Sequence, residues 1–339
     1  MDDELFLLLC LLNIKGLGQT QARQLFQDGG ITQFLSQNPL STEAKRLAEQ
    51  ELCLARKLNV LLLSLSSPAY PKPFKELSDP PLLLYVAGDI TRLERCIGVI
   101  GTRQATHYGK EMAERFGEQL AEQGWAVISG LARGIDTSAH RGALKRGVTA
   151  AILGSGLANL YPKENQDLAH KIAQEGVLIS EFALRTPPHP YHFPKRNRLV
   201  SCLSQALVLI EAPLKSGAMG TMELGQKQGR QLFALPGRAD IETFKGNHAL
   251  IKLGRAQLVE TPDEVSEAMG YSGVQRVVAT PVCSKEEAQL LAFFPAEEVS
   301  FDRLALDTSM NPSALNAALM RLLLKGLIKE YPNKQYRKR

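Results

Sequence analysis

The chain has 339 residues, of which 44% are hydrophobic and 22% charged, so it can bury sizeable cores and is neither disordered nor fibrous. Forty Lys and Arg against 35 Asp and Glu leave a net charge of +5, which permits a phosphate-bearing partner without requiring one. Five scattered cysteines (Cys10, Cys53, Cys96, Cys202 and Cys283) with no CxxC pair argue against a disulfide framework and against zinc.

The apolar run near the start, Leu5–Leu12, follows acidic rather than basic residues and so lacks the form of a secretory signal. No stretch approaches the roughly 18 apolar residues of a membrane span. The expectation is a soluble, cytoplasmic protein.

In chain order, residues 1–56 read as a small helical module. Leu5, Leu8, Leu9 and Leu12 recur at helical spacing, and the turn Ile14-Lys15-Gly16-Leu17-Gly18 leads into a second amphipathic helix. This is the pattern of a helix-hairpin-helix, whose glycines admit a phosphate, or of a plain helical hairpin. Residues 57–270 change to short apolar strands alternating with helices. Strands are expected at 59–65, 82–86, 97–101, 126–129, 149–153, 177–180, 206–210 and 232–235, with helices such as 110–123 and 222–229 between them. Strands apolar on both faces, joined through helices, predict an α/β, doubly wound and mostly parallel sheet of Rossmann type. Residues 271–283 lose periodicity and read as a linker. Residues 284–339 give three short helices and a hairpin, the plan of a winged helix.

The informative residues follow the strands. The strand at 97–100 runs into Gly101-Thr102-Arg103, that at 126–128 into Ser129-Gly130 and then Arg133, and that at 149–153 into Gly154-Ser155-Gly156. The strand at 206–210 leads to Ser216-Gly217. In a parallel sheet these ends share one edge, where small residues expose backbone N–H groups and helix starts to an anion. The segment His192-Phe193-Pro194-Lys195-Arg196-Asn197-Arg198 adds three cations, an amide and a ring. Cations for phosphate and a ring for a base are how single strands are held without sequence reading.

Other chemistries are thinly represented. No GxGxxG follows the first strand, the next ends in Ser129 rather than an acid, and no GxxxxGK[ST] occurs, so neither a dinucleotide cofactor nor a Walker-type triphosphate is expected. Asp136 and His140, four apart, are either an acid–base pair or a capped helix start. His189 and His192 lack a third metal ligand nearby. Glu181 and Glu211 end strands and are placed to accept from the arginines.

These residues resemble the DNA processing protein A (DprA/Smf) family. The matching motifs are YPKPFKELSDPPLLLYVAG (70–88), VIGTR (99–103), SGLARGIDTSAH (129–140), LGSGLANLYPKEN (153–165), GVLISE (176–181), FPKRNRLVSCLS (193–204) and ALPG (234–237). The resemblance implies an extended Rossmann fold, a homodimer, binding of single-stranded DNA and its delivery to the recombinase RecA in natural transformation. By motif position it marks Gly101, Thr102, Arg103, Ser129, Gly130, Gly154, Ser155, Gly156, Phe193, Lys195, Asn197, Arg198, Ser216 and Gly217 as the DNA pocket, and the basic residues Arg133 and Arg196 lie among them. The chain departs from the family pattern at Ser216–Thr221, and at His248 and Arg255, where Asn and Ala are usual.

Two other functions compete. Gly217-Ala218-Met219-Gly220-Thr221-Met222-Glu223 is similar to the signature of lysine-decarboxylase-like phosphoribohydrolases, with Glu223 in the catalytic place. The winged helix, with Asn311–Lys325 in a major groove, would instead suit a transcription factor.

Overall fold

A computed structural model of the chain describes residues 2–271, 284–295 and 297–338. These fall in two compact units, residues 1–273 and 274–339. Apart from Tyr271, the expected linker lies outside the described residues, as does Cys283.

The first unit opens with four helices: α1 (Asp2–Leu12), α2 (Gln19–Gln27), α3 (Ile31–Gln37) and α4 (Thr42–Lys57). The turn between α1 and α2 places Gly16 at φ +85°, a left-handed conformation natural to glycine. There follow β1 (Leu61–Ser64), α5 (Lys72–Lys75), β2 (Leu83–Gly88), β3 (Cys96–Ile100), α6 (His107–Glu122), β4 (Ala126–Ser129), α7 (Ile135–Ala143) and β5 (Thr149–Ile152). Then come α8 (Gln166–Glu175), β6 (Val177–Ser180), α9 (His192–Leu203), β7 (Ala206–Leu209), α10 (Gly217–Lys227) and β8 (Gln231–Ala234). The unit ends with α11 (Lys245–Lys252), β9 (Gln257–Leu258) and α12 (Pro262–Ala268).

The nine strands form one sheet in the order β1-β2-β6-β5-β4-β3-β7-β8-β9. Strands β3 to β9 pair in parallel, while β2, near one edge, pairs antiparallel with both β6 and the edge strand β1. The two-residue β9, both of whose residues are exposed, escapes the sequence pattern because an edge pair this short carries no apolar run.

Alternation along the strands feeds cores on both faces. Ile97, Val99 and Val127 point to Phe116, Leu120 and Ile135 of α6 and α7. Cys96, Ile100 and Ile128 point to Leu199, Val200 and Leu203 of α9. The first helices share a core with the sheet edge, where Leu8, Leu9 and Leu11 cluster with Leu62, Leu83 and Tyr85. Trp125 donates to Ser266 Oγ (3.0 Å), and Arg95 lies between the rings of Trp125 and Tyr271 at 4.2 and 4.5 Å.

The second unit contains α13 (Lys285–Ala292), β10 (Val299–Ser300), α14 (Phe301–Thr308), α15 (Pro312–Leu324), β11 (Ile328–Tyr331) and β12 (Gln335–Lys338). Its strands order as β10-β12-β11, all antiparallel. Three helices on a small sheet make a winged helix. Ser284 and Glu287 close a reciprocal capping box at the start of α13.

One side chain fastens the carboxyl ends of β7 and β8. Buried Asn247 of α11 donates to the carbonyls of Leu209, Ile210 and Leu235 (3.0, 3.0 and 2.9 Å) and accepts from the Ala212 amide (2.9 Å). His248 follows it and bonds the Gly237 carbonyl (3.0 Å). Asn247→Ala strips partners from these buried backbone groups and is expected to lower unfolding free energy by roughly 3 kcal/mol. A urea titration should show the midpoint falling with its slope preserved.

Candidate nucleic-acid interface

The strand order reverses at β3, which has β4 on one side and β7 on the other. At such a switch point the loops leaving adjacent strands diverge and open a crevice at the carboxyl edge. A cleft of about 770 Å³ lies there. Its walls are Gly101–Gln104 after β3, Gly130 and Ala132 after β4, Pro213 and Lys215–Ala218 after β7, and Phe193, Arg196 and Asn197 of α9.

Buried charges shape the floor. Arg196 is 4% exposed and donates to the carbonyls of Gly130 (2.6 Å) and Ile152, and through Nε to Asn197 Oδ1 (3.1 Å). A Cβ on Gly130 would strike this guanidinium, so only glycine fits. The Asp136 carboxylate accepts from the amides of Gly130 (3.1 Å) and Ala132 (3.3 Å). Burial pushes the Asp136 carboxyl up, against the pull of Arg196 and those amides. Burial likewise draws Arg196 down to about 10, which leaves it charged at neutral pH. The expected cap at the start of α7 is therefore different: Asp136 and Thr137 bond the preceding turn, and the helix begins at Gly134 with φ +76° and no side-chain cap.

His140 is no base. Thr149 Oγ1 donates to the Val127 carbonyl (2.6 Å), so it must accept from Nδ1 of His140 (2.7 Å). Nε2 in turn accepts from the Leu131 amide (3.3 Å). The ring is thus a neutral tautomer with both nitrogens occupied. Burial, reinforced by Arg196, lowers its pKa to about 3.

Free cations stand at the rim. Arg103 and Lys215 are exposed and line the cleft, and neither has an acidic partner among the described residues. The Arg103 guanidinium lies 5.2 Å from the centre of the Phe193 ring, and Tyr161 meets that ring from 5.7 Å. Phe193 is half-buried and backs onto Gly154, which has no room for a Cβ. The start of α10 faces the same space, with Ser216 Oγ accepting from the Met219 amide (3.3 Å).

Of the residues expected at the site, the structure brings together Gly101, Thr102, Arg103, Gly130, Phe193, Arg196, Asn197, Ser216 and Gly217. Arg133 borders an adjoining hollow with Tyr161 and Phe193, ion-paired to Glu164. The others stand behind the lining. Ser129 donates to the Val99 carbonyl (2.7 Å), Ser155 to the Asn159 carbonyl (2.7 Å), and Gly156 packs on the backbone of Ala183 and Leu184.

Lys195 and Arg198 do not line the cleft. Both turn to the buried Glu181, at 3.2 and 2.5 Å, and Arg198 also meets Asp79 at 3.2 Å. Their separation from Phe193, Arg196 and Asn197 is a matter of helical phase, since residues two apart do not share a face. Glu181 thus accepts from cations as expected. Glu211 instead accepts from Thr106 and Thr243.

Lining residues that were not anticipated include Gln104, Tyr161, His189 and Lys215. Lys215 was legible as the cation before Ser216-Gly217. Tyr161 was not, because it reaches the cleft from the far end of the loop after β5. Glu223 is exposed on α10 and does not line the cleft. On α15 the exposed residues include Met320 and Leu324, and its one cation, Arg321, lies 3.6 Å from Glu287.

Because His140 has a folded pKa below the ordinary histidine value of about 6.5, the unfolded chain takes up its proton first. The stability this lends is complete above pH 6.5 and is lost as pH falls toward 3. Comparison of wild type with His140→Gln by urea unfolding should show wild type losing about 1.4 kcal/mol more per pH unit between pH 5.5 and 4.

Comparison with known proteins agrees with this architecture. The family model for DNA recombination-mediator protein A matches residues 61–270, and that for the DprA winged helix domain matches 277–334. Protein Smf of Escherichia coli is 38% identical over 250 residues, 73% of this chain and 66% of that protein, just under two thirds of its length. DNA processing protein DprA of Bacillus subtilis is 35% identical over 227 residues, 66% of this chain and 76% of that one. Among solved structures, DNA processing protein A from Streptococcus pneumoniae superposes with a TM-score of 0.64 at 27% identity, over 77% of this chain and 95% of that one. The Helicobacter pylori protein, solved for its single-stranded DNA binding mode, gives 0.57 at 33% identity, over 61% of this chain and 95% of that one. No helix among the described residues is long and apolar enough to cross a membrane. On these matches, the chain belongs to the DNA processing protein A (DprA/Smf) family.

Proposed function

We propose that the chain binds single-stranded DNA in the cleft at the β3/β7 switch point, without turnover. The observation that carries this reading is the pairing, in one cleft, of free cations with a half-buried ring. Arg103 and Lys215 would meet phosphates, together with the amides at the start of α10. Phe193, met at a tilt by the Tyr161 ring and faced by Arg103, would stack a base. Such a site grips any sequence, because every base has a face to stack and every nucleotide a charge. The binding described for the Helicobacter pylori relative supports the same reading.

Arg196 and Asp136 act here as positioning groups, since both are locked to backbone. The phosphoribohydrolase reading loses its acid, because Glu223 stands outside the cleft. The role we infer is to hold incoming single strands in the cytoplasm during natural transformation and pass them to RecA, as a homodimer. Co-sedimentation with RecA on single strands, and light scattering of the purified chain, test these last two points.

Filter or anisotropy titrations across salt test the cleft itself. Each phosphate contact contributes a slope of about −0.7 in log K against log salt. Arg103→Ala and Lys215→Ala should each flatten the slope by about that share, while Lys195→Ala, removing a cation seated on Glu181, should move it less. Unchanged slopes in the first two would place the DNA elsewhere. Phe193→Ala should cost about 1–3 kcal/mol of binding with the urea midpoint nearly preserved.

A further inference from the structure

Beyond the cleft, the loop between β6 and α9 carries the most exposed aromatic residue of the first unit. Tyr191, 80% exposed, stacks on His189 with ring centres 5.2 Å apart and planes 26° from parallel. His189 itself lines the cleft. The rings continue inward, from His189 to His192 at 5.6 Å and from His192 to Phe182 at 4.2 Å.

The loop that displays them is stiff. Pro187, Pro188 and Pro190 fix its φ angles, and the His192 amide closes it on the His189 carbonyl (2.9 Å). Its base is tied down by the amides of Gly156 and Ala158, bonded to the carbonyls of Thr186 and Leu184 (both 2.9 Å). A ring pair held this way loses little entropy when it is covered. The other exposed residues of the loop are Ala183, the three prolines and the cation Arg185, with no large aliphatic side chain among them, which suits a polyanion carrying flat rings rather than an aliphatic protein surface.

We infer that Tyr191 and His189 form a base-stacking platform outside the phosphate cleft, where the single strand continues over the loop. This rests on the cleft reading and adds bases to be stacked beyond the one on Phe193. Continuity carries it, because His189 belongs to both surfaces.

The test uses the full chain with oligo(dT) and an abasic strand of equal length. Tyr191→Ala should weaken oligo(dT) binding by about 5- to 150-fold, spare the abasic strand, and leave the salt slope as in wild type, since no phosphate contact is lost. Tyr191→Phe should keep the preference for bases. Tyr191→Trp gives a direct readout, because the single native tryptophan, Trp125, is buried: its indole emission should be quenched by oligo(dT) and not by the abasic strand. Equal losses on both strands, no loss on either, or no quenching would overturn the platform. If Arg103→Ala flattens the slope while Tyr191→Ala changes nothing, the cleft stands and the platform alone falls. Wild-type protein that binds neither strand removes both.

Discussion

The cleft depends on one buried guanidinium. Arg196 reaches from α9 across the carboxyl edge of the sheet and ties the turn after β4 to the end of β5. Opposite it, Asp136 gathers the amides of that same turn. One cation and one carboxylate therefore hold loops from two strands and a helix from a third connection. Each is a buried charge satisfied by backbone groups, and truncating either leaves those groups unpaired, at a cost of about 1–3 kcal/mol for each. The loops that form the cleft are fixed for this reason, and Gly130 is glycine because Arg196 lies against it.

The cations of the site divide into two kinds by what they touch. Arg196 and Arg198 are buried and engaged, the first with carbonyls and the second with Glu181 and Asp79. Arg103 and Lys215 stand in solvent on the rim. A cation already buried and engaged inside the fold is not free to meet a phosphate, whereas an exposed one exchanges water and counterions for it. On the proposed reading, binding energy would come from the rim and geometry from the floor. The same division explains His140, which its burial, reinforced by the field of Arg196, keeps neutral and structural.

The seven residues His192–Arg198 show how secondary structure redistributes a motif. Read as text they are a block of three cations and a ring. Wound into α9, Phe193, Arg196, Asn197 and Val200 share the face toward the cleft, at the i, i+3, i+4 and i+7 spacing of a helix. Lys195 and Arg198 fall on another face and meet Glu181. Helical phase alone carried that distinction, and it was available in the sequence once the segment was taken as a helix rather than a cluster.

The amino-acid sequence by itself determined the order of elements, the parallel sheet, the winged helix and the edge on which small residues gather, because period and turn chemistry are local properties. Strand boundaries come within two residues, as at Ala126–Ser129 and Val177–Ser180, where apolar runs end in small polar residues. It also located Arg103, Phe193 and Ser216-Gly217. Only the tertiary structure decided which cations remain free, since pairing Lys195 and Arg198 with Glu181, or Arg196 with the carbonyls of Gly130 and Ile152, joins residues 14 to 66 positions apart. It also brought in Tyr161 and Lys215 and placed β9 at the edge. Such contacts follow from the packing of helices on a twisted sheet, and no local pattern of residues encodes them.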